Sequence, residues 1–214
     1  MLRLYTDRLA PNASSAALAP TNRIIYVAEG AATIRAAGQT AALGPNSAWQ
    51  GNANVTISTG AAGARLLRWE LSARSPELLT GADLTSLLTL EAAPHIDAGA
   101  EYLMRCDRVD FPPGGVAFAH THQGSGIRCL QSGRIRIETQ GEDFFVEPGG
   151  AWFETGSDPV FAETWSDGPS HFIRVMILPR AIKGQSSIRY VKAEDRDKPK
   201  SQKYQVFVDE PIDF

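Results

Sequence analysis

The chain has 214 residues, with 21 Lys and Arg against 24 Asp and Glu and a formal net charge of -3. That length accommodates one large or two small domains, and two all-β units of roughly 100 residues are each big enough to bury a core. The charge balance excludes the basic track that nucleic-acid phosphates require, and no apolar run approaches the roughly 18 residues of a membrane span. The opening residues MLRLYTDRLAP contain no apolar stretch of signal-peptide length. The expectation is a cytoplasmic protein with neither nucleic acid nor membrane as partner. Two cysteines, Cys106 and Cys129, are too few for a disulfide scaffold and read as small packing residues.

Short apolar runs follow one another between turn signals. RIIYVAEG (23–30), AATIRAAG (31–38) and ARLLRWEL (64–71) come first. SPELLTGADLTSLLTLEAAP (75–94) follows, where Pro76 and Glu77 suit the first turn of a helix. This stretch predicts an inter-domain linker, 75–99, with short helical turns. Then come LMRCDRVDF (103–111), IRCLQSG (127–133), RIRIETQG (134–141), DFFVEPGG (143–150) and HFIRVMIL (171–178). Their length and their β-branched and aromatic content predict strands of an all-β sandwich or barrel. The tail, 181–214, is charged through KAEDRDKPKSQK and turns strand-like in YQVFV. It predicts a solvated loop followed by a strand that docks on a sheet.

An internal repeat sets the architecture. A shift of 103 lays Gly30, Ile34, Gly38, Pro45, Ala48 and Trp49 on Gly133, Ile137, Gly141, Pro148, Ala151 and Trp152. A shift of 106 lays Arg68 on Arg174, and a shift of 100 lays Asp7-Arg8 on Asp107-Arg108. The shifts grow in small steps, as loop insertions produce. Two β-units are expected, 1–74 and 100–180.

The stretch FAHTHQGSGIRCLQSG (118–133) carries His120 and His122 two residues apart. On a strand both imidazoles share a face, along with Val116 and Phe118 by parity. With Gly114 five residues before His120, and Gly133 closing the segment, these positions resemble the first motif of the cupin superfamily. Its Glu position is taken by Gly126. The second motif opens at Gly149, but its His and Asn positions hold Val160 and Thr164. The resemblance implies two jelly-roll barrels, a bicupin, with a degenerate N-terminal half. The repeat places that half's counterparts of the histidines near Ala17 and Ala19.

The resemblance further implies a divalent Fe, Mn, Ni or Zn on His120 and His122. Glu154 is a candidate to complete a two-His-one-carboxylate set, and His171 is another candidate. Arg128 is expected to face inward beside Gly126, which leaves it room, and to pair with a substrate carboxylate or with Glu154. Arg128 and Glu154 are therefore the candidate ligand-binding residues. Gln123 is expected to point away from the pair, and His95 to lie exposed. Three functions stay open: a metal-dependent enzyme of dioxygenase or isomerase type acting on a small molecule, a barrel that binds or senses an anionic small molecule, and a dimerisation module with a relic site. A homodimer is expected, with YQVFV able to cross to a second chain.

Overall fold

Alternating side chains turn nearly every one of these runs into a strand. The computed structural model describes residues 1–213. It divides into an N-terminal unit, Met1–Ala93, and a C-terminal unit from Pro94 onward. No helix among the described residues is long and apolar enough to cross a membrane.

The N-terminal unit consists of β1 (Leu2–Leu9), β2 (Asn22–Ala36), β3 (Gln39–Leu43), β4 (Ser47–Gly51), β5 (Val55–Leu71) and β6 (Leu84–Ala92). They form one antiparallel sheet in the order β3-β2-β5-β1-β6, with β4 also paired to β2. The long strands β2 and β5 pair with register shifts at Val27/Glu29 and Gly30/Ala32. Such bulges bend a sheet. Gly30 has φ +73°, and a Cβ there would meet the Gly63 carbonyl oxygen at 2.1 Å, so the bend requires glycine. The two halves of β2 thereby contribute to one core, in which Ile25 and Val27 join Ile34, Val55, Ile57 and Leu66.

The C-terminal unit consists of β7 (Tyr102–Phe111), β8 (Val116–His122), β9 (Gly126–Ser132), β10 (Ile135–Thr139), β11 (Glu142–Val146), β12 (Ala151–Glu154), β13 (Val160–Thr164), β14 (Ser170–Pro179), β15 (Ile188–Tyr190) and β16 (Lys203–Ile212). Two five-stranded sheets, β11-β10-β13-β8-β15 and β12-β9-β14-β7-β16, enclose a core that includes Phe111, Leu130, Ile137, Trp152 and Phe172. All strand pairs in both units are antiparallel, as jelly-roll folds require.

The repeat is visible residue by residue. Ile34 faces Ala41 in the β2–β3 hairpin, and Ile137 faces Phe144 in the β10–β11 hairpin. Both hairpins turn on two positive-φ residues, Ala37-Gly38 and Gln140-Gly141, the signature of a type I′ turn. Trp49 faces Ile25, and Trp152 faces Arg128.

One predicted segment needs correction. Residues 84–92 are no helical linker but the strand β6, hydrogen-bonded to the outer edge of β1. The β-branched and apolar alternation of LTSLLTLEA prevails over the helix-start signal at Pro76 and Glu77. The tail strand β16 pairs along β7 of its own chain in the same way. Each unit thus closes by adding a strand outside its first one, and the tail strand docks on a sheet as expected.

Candidate functional site

β8 brings His120 and His122 to the inner face of the C-terminal unit, and both are buried. Their rings meet edge to face, centroids 4.8 Å apart. Strict alternation fails one step upstream. β8 pairs Val160 with His120 but Ala162 with Ala117, so a bulge lies between Ala117 and His120. Ala117, not Val116 or Phe118, lines the same cavity as the histidines. Phe118 instead lies under the ammonium groups of Lys198 and Lys200.

The remaining members come from the facing sheet. Arg128 on β9 is directly opposite Trp152 on β12 and Arg174 on β14; Glu154 is opposite Gly126. The Arg128 Nη2 lies 2.5 Å from the Glu154 Oε2, and that oxygen is 3.5 Å from the His122 Nε2. The Trp152 indole donates to the Glu154 Oε1 at 2.8 Å. Arg174 is held by Asp107 through two hydrogen bonds, 2.6 and 3.0 Å. So the partner of Arg128 is Glu154, one of the two anticipated from sequence.

Burial sets the charge states of the imidazoles. It pushes the His122 pKa well below the ordinary value, and the nearby guanidiniums of Arg174 and Arg128 push the same way. Burial also lowers His120, against a partial opposing pull from Glu154. Burial brings Arg128 down to about 10, with Glu154 resisting. At neutral pH the imidazoles are neutral and the guanidiniums charged. The His120 Nδ1 lies 2.7 Å from the Phe118 carbonyl oxygen. A carbonyl only accepts, so Nδ1 carries the hydrogen and Nε2 keeps its lone pair. The His122 Nδ1 meets the Ser187 hydroxyl at 3.1 Å.

His120, His122, Trp152, Glu154 and Arg174 line a cavity of about 30 Å³, space for one or two waters. Its roof is the tail. Ile188, Tyr190, Gln202 and Tyr204 line it, and Gln202 donates to the Val116 carbonyl. A second pocket of about 370 Å³ lies alongside and shares Arg174, Ile188 and Tyr204 with it. Sequence reasoning missed the roof, because the charged run 192–203 reads as solvated chain. It also missed Asp107 and Arg174 as neighbours of the histidines, although the repeat had singled both out.

Other expectations fare differently. His171 bonds Ser132 at 2.6 Å and does not line the cavity, because it alternates with the inward Phe172 on β14. Gly126 makes no room for Arg128: a Cβ there would strike the Val175 carbonyl oxygen of β14 at 2.4 Å. Close approach of two strands explains that glycine. Gln123 points outward to Arg189, and His95 is exposed beside Asp97.

The strands and their pairing define an all-β fold of the cupin jelly-roll kind. No protein-family model matches the sequence, and no curated protein matches it. Among solved structures, a deletion mutant of Bacillus subtilis oxalate decarboxylase is similar with a TM-score of 0.69 and 12% identity, over 92% of this chain and 73% of that one. The Lactobacillus farciminis oxalate decarboxylase formate complex gives 0.68 and 12%, over 93% and 82%. AerE from Microcystis aeruginosa gives 0.63 and 14%, over 83% and 87%. At such identities the likeness is one of fold.

The Bacillus subtilis enzyme has Mn(II) centres. The donors here do not match such a centre. Among the described residues no group of three or more His, Cys, Asp or Glu side chains is placed to hold a metal ion. Glu154, the only carboxylate lining the histidine cavity, is turned onto Arg128 and Trp152. As arranged, the residues do not fit a three-ligand ion.

Proposed function

We propose that the C-terminal unit acts on a small, uncharged polar molecule by acid–base chemistry, of the isomerase type. The observation that carries this reading is the fixed tautomer of His120, a residue that lines the cavity and whose Nε2 is unprotonated. A neutral imidazole held by its backbone partner is a competent proton acceptor. His122 and Glu154 line the same cavity beside it, and Glu154 is in turn paired with Arg128. Preference for an uncharged ligand follows from charge matching: Arg174 is paired with Asp107, and Arg128 with Glu154. Each of these two guanidiniums already has a carboxylate beside it to balance its charge.

Ligand access needs the tail to move. With Ile188 and Tyr204 displaced, the small cavity and its 370 Å³ neighbour become one space, within the range of small-molecule sites. The N-terminal unit acts as the degenerate, structural half of a bicupin. Its register places Leu18 opposite Val55 where His120 stands opposite Val160. The counterpart of His120 is therefore Leu18, one step from the expected Ala17.

The test is a panel of small hydroxy and keto compounds, neutral and anionic, screened by the ¹⁵N shifts of labelled imidazoles. Neutral binders that move His120, and lose affinity in His120→Ala, support the reading. Binding confined to anions, or unaffected in His120→Ala, overturns it.

A further inference from the structure

Arg128 stands where the N-terminal unit carries Ile25. Ile25 faces Trp49 and Arg68; Arg128 faces Trp152 and Arg174. An apolar side chain therefore satisfies the fold at this position. Arg128 is nonetheless fully buried, and its Nε and Nη2 lack hydrogen-bond acceptors, as does the Glu154 Oε2 of a donor. Its Nη1 is tied to the Gly126 carbonyl at 2.6 Å. The contact with Glu154 is one of charge and proximity, not of an aligned hydrogen bond.

The surroundings of that oxygen are those of an interrupted metal site. The Glu154 Oε2 lies 3.5 Å from the His122 Nε2. Two atoms that share a zinc-sized ion at about 2.0–2.2 Å each stand about 3–3.5 Å apart at ordinary ligand angles. His120 packs against His122 with its Nε2 lone pair free. What lies beside the carboxylate is a guanidinium, a fixed positive charge that repels a divalent ion and draws Oε2 toward itself. We infer that Arg128 takes the place of the divalent ion and locks the cluster metal-free. Beneath it is a latent two-His-one-carboxylate site of His120, His122 and Glu154. The inference rests on the same cluster as the proposed function, since the lock leaves the His120 Nε2 free of metal.

The test is a Co(II) titration of the full-length, chelator-stripped protein, followed by the visible d–d absorbance. Wild type takes up no saturable Co(II). Arg128→Met saturates with one ion, bound at least about 100-fold more tightly, the upper range of effects seen when groups around a metal site change. Adding His122→Ala to Arg128→Met abolishes that band. Wild type binding Co(II) as tightly as Arg128→Met, or Arg128→Met taking up none, overturns the inference. Arg128→Ile, which copies the Ile25 position of the N-terminal unit, replaces the Met variant if the latter fails to fold. Should neither fold, wild type decides: saturable Co(II) uptake lost in His120→Ala refutes the lock, and no uptake supports it.

Discussion

The two units differ most in what their interiors do with charge. In the N-terminal unit Arg68 bridges Asp7 at 2.7 Å and Glu70 at 2.6 Å, and Arg23 binds the same Glu70 oxygen at 2.6 Å. The Arg68 guanidinium also lies over the Tyr5 ring, and Ser86 donates to Asp7. No histidine takes part. In the C-terminal unit the Arg174–Asp107 pair plays the corresponding part, but Arg128, Glu154, His120 and His122 are added and touch one another in a chain. The counterparts of Arg128, Glu154 and His120 are Ile25, Gly51 and Leu18. One buried Arg–Asp pair is what the scaffold uses twice. Each unit adds buried charge of its own, Arg23 with Glu70 in the first and Arg128 with Glu154 in the second; the histidines are what the second unit alone brings to such a cluster.

The largest expected effect breaks the shared element. Asp107→Ala leaves the Arg174 guanidinium buried without its carboxylate, and Asp7→Ala does the same to Arg68. Each should destabilise its unit by about 3–5 kcal/mol, read by urea unfolding. A loss in either variant of less than about 1 kcal/mol, the scale of an exposed pair, would show that the pair is not a common scaffold.

The C-terminal addition should behave differently. Arg128→Met alone should cost about 3 kcal/mol, because Glu154 is left unpaired, whereas Arg128→Met with Glu154→Gln should recover most of it. Additive losses in the double variant would mean that the two side chains do not act as a pair.

Acid should expose the same asymmetry. The pKa values of His120 and His122 are lowered by burial in the folded chain. Their contribution to stability is complete above the unfolded value of about 6.5 and is lost as pH falls below it toward the folded values. The slope is up to about 1.4 kcal/mol per pH unit for each histidine. Melting temperature should fall through that window, and less steeply in His122→Gln. An unchanged slope would mean that His122 is not held neutral.

The smallest effect tests the likeness of the hairpins. Gly38→Ala and Gly141→Ala each place a side chain at positive φ, 76° and 77°, and should each cost about 1 kcal/mol. Unequal losses would separate two turns that the backbone makes alike.

The strands and the repeat were legible because periodicity and turn residues are local signals. Gly38 and Gly141, or Trp49 and Trp152, carry their structural role in their own identity. β6 was not, since an edge strand buries one face only weakly and a helix-start signal, Pro76 and Glu77, precedes it. In the site, the His120–His122 spacing and an inward Arg128 could be read, with Glu154 as one of its two candidate partners. The bulge after Ala117 could not, because it depends on which residue of β13 pairs with which of β8. Nor could the roof: Tyr190 and Gln202 belong to a polar tail whose place is set by β16 joining the edge of β7. The Asp7–Asp107 match was right in chemistry and not in register. Arg68 lies opposite Tyr5 and reaches across to Asp7, while Arg174 lies opposite Asp107.

The central claim is a neutral, metal-free imidazole pair with one proton-accepting nitrogen presented to the cavity. The most direct measurement is the long-range ¹H–¹⁵N spectrum of the imidazoles at neutral pH, recorded with and without excess Zn(II). His120 should show a protonated Nδ1 and a bare Nε2, His122 should be neutral, and neither ring should move when zinc is added. An imidazolium at either position, a protonated Nε2 on His120, or shifts of both rings on zinc addition would contradict it.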